Sequence, residues 1–312
     1  MEQFKYGISE WAPFKDREVC ERIRNIEKED ITKHPNPDFK ISIVKDSDIT
    51  FMYVLDIFLR IKEASDKGKR VVLILPQPCP QYSKVAYLIN KFRINCKNLW
   101  TFDMDEWADE DGNIAHETYP NGFLYAMKHN FYYKIDQELR PPEEQIIGPT
   151  NKNFKDYEKM IEDLGGADVC YGGVGWSGHL AFIEPNSPEF KTENLEEWKE
   201  MGPRIVTLSP FTIAQSSLDP DFGMSGDWSA IPPKAATIGP KQIISAKLRS
   251  SWNYFKIAST PVSWQRFTIR LATHGPVTPL VPASILQTLR TDFYISETIA
   301  ENIELNRELN WY

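Results

Sequence analysis

A histidine and a glutamate lie five residues apart beside the most glycine-rich stretch of the chain. Four of the sixteen glycines fall within residues 172–178, and His179 follows them directly. Because glycine has no Cβ, its backbone N–H groups can approach a ligand closely. On a regular helix His179 and Glu184 would point about 140° apart, so their pairing requires a loop or a helix end. A histidine oriented by a carboxylate is typical of a proton shuttle near neutral pH, whereas the alternative is a glycine turn with a histidine that satisfies a core hydrogen bond.

Two further segments carry unusual side chains. Three carboxylates, those of Asp103, Asp105 and Glu106, occupy four positions of the sequence TFDMDEW. Crowded like charges raise a pKa and can produce a general base, although a solvated acidic turn is the alternative. Residues 76–80, PQPCP, contain three prolines, which have no N–H to donate to an anion. We assign Gln77 in this loop and Glu106 in the acidic loop as substrate-binding candidates.

The elements that must position these loops alternate between strands and helices. Continuous apolar runs such as RVVLILP are typical of buried parallel strands, and helical periodicity follows in YSKVAYLINKFRI. Later segments, including RIVTLS, KAATIG, TDFYIS and residues 253–259 (NYFKIAS), also predict strands. The pattern predicts an α/β fold with a doubly wound, mainly parallel Rossmann-like sheet flanked by helices. Ligands bind at the carboxyl ends of such strands, which places the loops after Leu75, Phe102 and Tyr171 on one rim.

The chain divides, on this interpretation, into an extension and one domain. Residues 1–50 are polar and contain three prolines, which predicts an irregular N-terminal extension packed on the main body. Residues 51–312 are expected to form a single α/β domain. Neither an internal repeat nor a low-complexity segment interrupts it.

Composition excludes several classes of protein. Hydrophobic residues make up 41% of the chain and charged residues 26%, which is ordinary for a folded protein. The net charge of -8 argues against nucleic acid as a partner, because phosphate binding needs a basic surface. No apolar run is long enough to span a membrane, and the first residues lack a signal-peptide core, so we expect a cytoplasmic protein without a membrane partner. The five histidines and four cysteines show no metal-ligand spacing, so no metal is expected.

Several segments resemble, in order, the glucosamine-6-phosphate deaminase (isomerase) family, whose relatives include the 6-phosphogluconolactonases. They are TFDMDEW with HETY, then GGADVCYGGVGWSGHLAFIEP, then IPPKAATIG. The resemblance runs from about residue 50 to the C-terminus, and the form HLAFIEP is similar to the deaminase branch. It implies a Rossmann-like α/β fold, a small-molecule sugar substrate and frequent homo-oligomers. It also implies that no metal or organic cofactor is required.

The resemblance implies roles for individual residues. Asp105 matches the aspartate that moves the proton between C2 and C1 of the open-chain sugar. His179, oriented by Glu184, matches the histidine that helps to open the pyranose ring. The backbone of Gly172, Gly173 and Gly175 matches the segment that lies against the sugar.

Other positions depart from the family pattern. Ser177 stands where the family carries an aspartate, two residues before the histidine, and it cannot supply that negative charge. Trp176 is new in this loop, and it either stacks on a sugar or packs into the core. Its small neighbours Gly175 and Ser177 suit an exposed loop and favour stacking, so we assign Trp176 and Ser177 as substrate-binding candidates. The Gly- and Thr-rich phosphate loop is replaced by the prolines of residues 76–80. The phosphate-binding arginine falls near Leu218, and the phosphate-binding lysine falls near Gln265 or Arg266.

These departures predict a substrate that lacks the 6-phosphate, and three functions remain open. The first is an aldose–ketose isomerase or deaminase of an amino sugar, with Asp105 as base and His179 with Glu184 as the ring-opening pair. The second is a sugar-binding regulatory protein that has the same fold but has lost catalytic activity. The third is a sugar-lactone hydrolase. Retention of all three residues favours the enzyme, since a sensor does not need a proton shuttle.

Overall fold

The computed structural model describes residues 4–185, 187–257 and 260–305. Their strands are β1 Phe39–Val44, β2 Val71–Leu75, β3 Leu99–Asp103, β4 Asp105–Ala108, β5 Ile146–Ile147, β6 Val169–Gly172, β7 Arg204–Thr207, β8 Lys234–Thr237, β9 Leu248–Asn253 and β10 Thr291–Ser296. Their α-helices are α1 Arg17–Arg24, α2 Ile49–Asp66, α3 Tyr82–Phe92, α4 Phe123–Asn130, α5 Tyr157–Asp163, α6 Leu195–Lys199, α7 Pro210–Ser216, α8 Pro240–Ser245, α9 Gln265–His274 and α10 Glu297–Ala300.

Seven strands form one parallel sheet in the order β1-β10-β9-β6-β2-β3-β5. All five residues of β2 are buried, as expected for a central strand that is covered on both faces. Its side chains alternate between two hydrophobic cores: Val72 and Ile74 belong to one, and Leu73 and Leu75 to the other. The predicted parallel α/β sheet is therefore confirmed.

A second, three-stranded antiparallel sheet has the order β4-β8-β7. The chain leaves β3 and enters β4 across a single residue, Met104, which hydrogen-bonds Leu75 on one side and Ile238 on the other. RIVTLS and KAATIG do form strands, but they pair antiparallel here and not in the main sheet. Residues 105–107, which the sequence placed in a loop, are a strand of this small sheet. This transition fixes the position of Asp105 at the rim of the main sheet.

The first fifty residues contribute regular structure. Strand β1 pairs with β10 over six residues and forms an edge of the main sheet, while α1 packs on α9. The prediction of an irregular segment is therefore wrong for both elements. The sequence of β1, FKISIV, has its buried positions in partial alternation, which suits an edge strand. The division into residues 1–50 and 51–312 stays a prediction.

The strand predicted over residues 253–259 lies earlier in the sequence than expected. Strand β9 ends at Asn253, where the predicted strand over residues 253–259 was to begin. Residues 258 and 259 lie outside the described residues. Burial explains the difference: all six residues of LRSSWN in β9 are buried despite their polar character, because β9 lies between β6 and β10. The described helices include none that could cross a membrane.

Candidate active site

A cavity of about 230 Å³ opens at the carboxyl ends of β2, β3 and β6. It brings together the three loops that the sequence placed on one rim. The residues that line it are Pro76, Gln77, Pro78, Met104, Asp105, Trp107, Phe123, Gly173, Val174, Gly175, His179, Ala181, Phe182, Gln215, Ser216, Asp219, Phe255, Trp264 and Gln265. Of the predicted site residues, Asp105, His179, Gly173, Gly175 and Gln77 are among them. The cavity thus joins a carboxylate that follows β3 and an imidazole that follows β6, the two strands on either side of β2.

Asp105 is a buried carboxylate with unused hydrogen-bonding capacity. Its residue is 5% exposed, and within the described part of the chain its carboxylate accepts no hydrogen bond. Burial raises the pKa of Asp105 well above its ordinary value, and the nearby charge of Glu106 raises it further. A carboxylate with a raised pKa is a stronger base when it is ionised, which suits proton abstraction from carbon.

Glu106 was predicted to contact the substrate, but the structure places it at the start of a helix. It does not line the cavity, and its two carboxylate oxygens accept backbone N–H bonds from Trp107, Phe123 and Leu124 at 2.8–2.9 Å. The latter two are the first residues of α4, so Glu106 caps a helix whose N-cap residue, Gly122, has no side chain to do so. Burial raises the pKa of Glu106 to about 7, and these N–H bonds oppose the rise.

His179 is held by two hydroxyl groups that lie between it and Glu184. Nδ1 of His179 lies 2.9 Å from the Ser177 hydroxyl and 3.0 Å from the Thr212 hydroxyl. The Ser177 hydroxyl donates to Oε2 of Glu184 at 3.0 Å, and Nδ1 itself lies 3.6 Å from Oε2. Because Ser177 donates to the glutamate, it accepts from Nδ1–H, which leaves Nε2 of the neutral ring without a proton. The expected His–Glu pairing is present, with a serine as its bridge.

The charge of Glu184 is stabilised in this position. The residue is 1% exposed, and burial on its own raises its pKa. The imidazole of His179 and the hydroxyls of Thr212 and Ser177 outweigh that effect, so the pKa of Glu184 lies below its ordinary value. An ionised carboxylate behind Nδ1 stabilises the imidazolium that forms when Nε2 takes up a proton.

The glycines of this loop differ in why, and whether, the structure excludes a side chain at their positions. A Cβ on Gly175 would lie 1.9 Å from Nε2 of His179. The imidazole can therefore adopt its observed position only because residue 175 is glycine. Gly178 has a φ of +85° and closes a turn onto Gly175. A Cβ on Gly173 would meet the carbonyl of Trp252 at 2.9 Å, whereas one on Gly172 would make an ordinary 3.5 Å contact. Gly172 does not line the cavity.

An aromatic wall closes one side of the cavity. Trp264 stacks on Phe255 with ring centroids 3.5 Å apart, and both line the cavity. Trp176 stacks on Trp264 at 5.2 Å but does not itself reach the cavity. Trp176 therefore does not make the expected contact with a sugar in this cavity. It packs against Trp264 and supports that ring. Ser177 also lies behind the cavity, where it contacts His179 and Glu184.

No lysine or arginine is found among the described residues that line the cavity. Gln265 lines it, but its amide is engaged with the backbone of Val174 and Phe255. Arg266 lines a different cavity of about 340 Å³ and donates to the carbonyl of Asn302. The described part of the chain also holds no cluster of His, Cys, Asp and Glu that could bind a metal.

Sequence reasoning missed Thr212, Gln215 and Asp219. All three lie in or after α7, which begins with a serine cap and a proline at its first position, Ser209-Pro210. Those two residues could have predicted the helix start. Nothing local could have shown that Thr212 reaches His179 across 33 positions.

Comparison with known proteins identifies relatives by sequence. A glucosamine-6-phosphate deaminase of Caenorhabditis elegans is 32% identical over 195 residues, which is 60% of this chain and 65% of that protein. One from Fusobacterium nucleatum is 31% identical over 196 residues, 60% of this chain and 64% of that protein. The chain thus spans a little under two thirds of these relatives. No family model matches it.

Solved structures identify the fold. A monomeric glucosamine-6-phosphate deaminase matches with a TM-score of 0.64 at 21% identity, covering 85% of this chain and all of that one. The 6-phosphogluconolactonase of Leishmania guyanensis matches with a TM-score of 0.57 at 14% identity, covering 85% of this chain and 98% of that one. The fold is that shared by the deaminases and the lactonases. Among proteins of that fold, the chain is similar in sequence to the glucosamine-6-phosphate deaminases.

Proposed function

We propose that the protein is an amino-sugar isomerase or deaminase that acts on a sugar without a 6-phosphate. The observation that carries the proposal is that Asp105 and His179 line the same cavity, which the glycine loop of β6 also borders. One group can then open the ring while the other removes a proton from the adjacent carbon. Asp105, His179 and Glu184 are the proposed catalytic set, with Glu184 acting through His179.

Ring opening is assigned to His179. Its Nε2 accepts the proton of the anomeric hydroxyl, the bond between C1 and the ring oxygen breaks, and the same proton passes to the ring oxygen. Glu184 stabilises the transient imidazolium through the Ser177 hydroxyl at 2.9 and 3.0 Å. The product is an open-chain aldehyde, which makes the hydrogen on C2 acidic.

Proton transfer between carbons is assigned to Asp105. Its carboxylate removes the C2 proton while the carbonyl oxygen on C1 takes up a proton from the ammonium group on C2, which gives an enolamine. The carboxylic acid so formed exchanges its proton with water while the intermediate lasts and then protonates C1. For an amino sugar this leaves an imine at C2, which water hydrolyses to a ketose and ammonia. With a 2-hydroxy sugar the same proton transfer passes through an enediol and gives the ketose directly, which is an aldose–ketose isomerisation. Burial of Asp105 and the neighbouring charge of Glu106, which raise its pKa, make the ionised group a base of adequate strength.

The absence of a phosphate on the substrate is supported by the charges around the cavity. Within the described residues its ionisable lining consists of Asp105, His179 and Asp219. A hydrogen bond to a charged group is worth about 1.5–3 kcal/mol, so loss of two cationic phosphate contacts costs about two to four decades in affinity. A sugar phosphate meets no cationic side chain among the described residues of this cavity that would offset the loss of its hydration.

The test is product formation from amino sugars with and without phosphate. Glucosamine, galactosamine and mannosamine, and their 6-phosphates, are incubated with the wild type, Asp105→Asn and His179→Gln, and ammonia and ketose are quantified. We expect the wild type to convert an unphosphorylated sugar and both variants to lose at least about 10²-fold in turnover. A good rate with glucosamine 6-phosphate at micromolar concentration contradicts the substrate assignment. Turnover of a sugar lactone, without any conversion of amino sugars, contradicts the reaction assignment.

A further inference from the structure

We propose that Gln215, Ser216 and Asp219 form a subsite for the hydroxyl-bearing end of the sugar, with Asp219 as its specificity-determining residue. This inference rests on the proposed function, because it names the groups that recognise an unphosphorylated substrate. The three residues line the same cavity as Asp105 and His179. They form the C-terminal end of α7 and the turn that follows it.

The local backbone holds these side chains together. Helix α7 ends at Ser216, and the carbonyl of Ser216 accepts the backbone N–H of Asp219 at 3.0 Å. Asp219 then precedes a short 3-10 helix, Pro220–Phe222, without capping it through its side chain. The carboxylate is therefore not consumed by the helix that it precedes.

The hydrogen-bonding capacity of the three residues matches sugar hydroxyls. The side-chain oxygen of Gln215 accepts the backbone N–H of Trp176 at 2.8 Å, so its amide NH₂ remains a donor. The carboxylate of Asp219 accepts no hydrogen bond within the described residues, and it can accept from hydroxyls. The hydroxyl of Ser216 is able both to donate a hydrogen bond to a sugar and to accept one from it. Trp264 and Phe255 supply the apolar wall against which a pyranose can lie.

The charge at this end of the cavity is inverted relative to what a phosphate needs. The resemblance places the phosphate-binding arginine near Leu218, and the adjacent residue that lines the cavity is the acidic Asp219. The exposed Asp221 adds a second negative charge nearby. Burial and the charge of Asp221 raise the pKa of Asp219 to about 7, so the carboxylate is mainly ionised above that pH. A phosphate group would then face like charge without a cation, whereas a hydroxyl would donate to Asp219. The same carboxylate thus favours one substrate class and rejects the other.

The test reverses this charge and compares sugars in pairs. Glucosamine, galactosamine and mannosamine, and the 6-phosphate of each, are titrated calorimetrically into the wild type, Asp219→Lys and Asp219→Asn. The matched control is Asp38→Lys, which makes the same charge change at an exposed position just before β1, at the opposite edge of the sheet from the cavity. We expect the wild type to bind an unphosphorylated sugar at least about tenfold more tightly than its 6-phosphate. Asp219→Lys should shift that ratio at least about tenfold toward the phosphate, and Asp38→Lys by less than about threefold, because that charge is distant and screened.

Each outcome separates the two proposals. If the wild type prefers an unphosphorylated sugar and neither Asp219 variant changes the ratio, the subsite is overturned and the proposed function stands. Asp219→Asn keeps the size of the side chain, so a folded variant remains for the test if the lysine is not tolerated. A wild type that prefers the 6-phosphates overturns the subsite and the substrate assignment. A wild type that binds none of the six sugars overturns the proposed function itself.

Discussion

Replacement of Gly175 by alanine should disable His179 without unfolding the protein. A Cβ at residue 175 would lie 1.9 Å from Nε2 and 2.2 Å from Cε1 of the imidazole. Because carbon contacts are favourable at about 3.5–4.0 Å, the ring must move by roughly 1.5 Å or more. The added methyl group displaces the reactive nitrogen directly, since Nε2 is its nearest neighbour.

The size of the effect follows from the displacement. A misplacement of about 1 Å can cost about 10²-fold in rate, and general acid–base catalysis is worth about 10²–10⁴-fold. We therefore expect turnover of the preferred amino sugar to fall by about 10²–10⁴-fold in Gly175→Ala, close to the loss in His179→Gln. Combining the two changes should add little, because they remove the same function. Overpacking should reduce the free energy of unfolding by only about 1–3 kcal/mol, measured in urea.

Gly172→Ala is the matched control. The new Cβ would lie 3.5 Å from Cε of Met104, an ordinary contact with a flexible side chain, and Gly172 does not line the cavity. Its turnover should stay within about threefold of the wild type. Wild-type turnover in Gly175→Ala, or an equal loss in Gly172→Ala, would refute the view that this glycine exists to admit the imidazole.

Three further predictions concern charge and hydrogen bonding. Ser177→Ala removes the bridge to Glu184, so turnover should fall by about 10–100-fold, while an exposed Ser→Ala elsewhere should have no effect. Asp105 acts as a base when ionised, so kcat/KM should rise with pH through its raised pKa; Glu106→Gln removes a charge that raises this pKa and should move the rise to lower pH. Burial raises the pKa of Asp46, but hydrogen bonds to a hydroxyl and an ammonium group lower it to about 2. Its stabilisation should be complete above the unfolded pKa of about 3.9 and should be lost as pH falls through about 2. Asp46→Asn should therefore cost about 1–2 kcal/mol in urea at pH 6 and less than about 0.5 kcal/mol at pH 2.

The sequence was informative where chemistry and periodicity are local. The apolar run of β2 predicted a buried parallel strand. The positions of the predicted strand ends also predicted which loops lie together at the carboxyl edge of the sheet. His179 and Glu184 were also identified together, because a loop with Pro185 permits a pairing that a helix does not. These features depend on residues close in the chain.

Other features depend on contacts that are distant in the chain. Residues 105–107 form a strand only because β8 supplies a partner more than 100 residues later, so the acidic sequence resembled a solvated turn. Glu106 was expected at the substrate, and its pairing with the N–H groups of α4 became visible only in three dimensions. Trp176 was similarly misplaced, since the small residues beside it did not reveal that Trp264 covers it.

The most direct test of the central claim is solvent deuterium exchange at C2 of the sugar. The claim is that the carboxylate of Asp105 and the imidazole of His179 act on one substrate in one cavity. In D₂O, proton NMR of the preferred amino sugar should show deuterium entering C2 with the wild type. The exchange should be lost in Asp105→Asn, and it should be slowed in His179→Gln because the ring opens less often. Exchange at C2 that persists at the wild-type rate in Asp105→Asn would contradict the account.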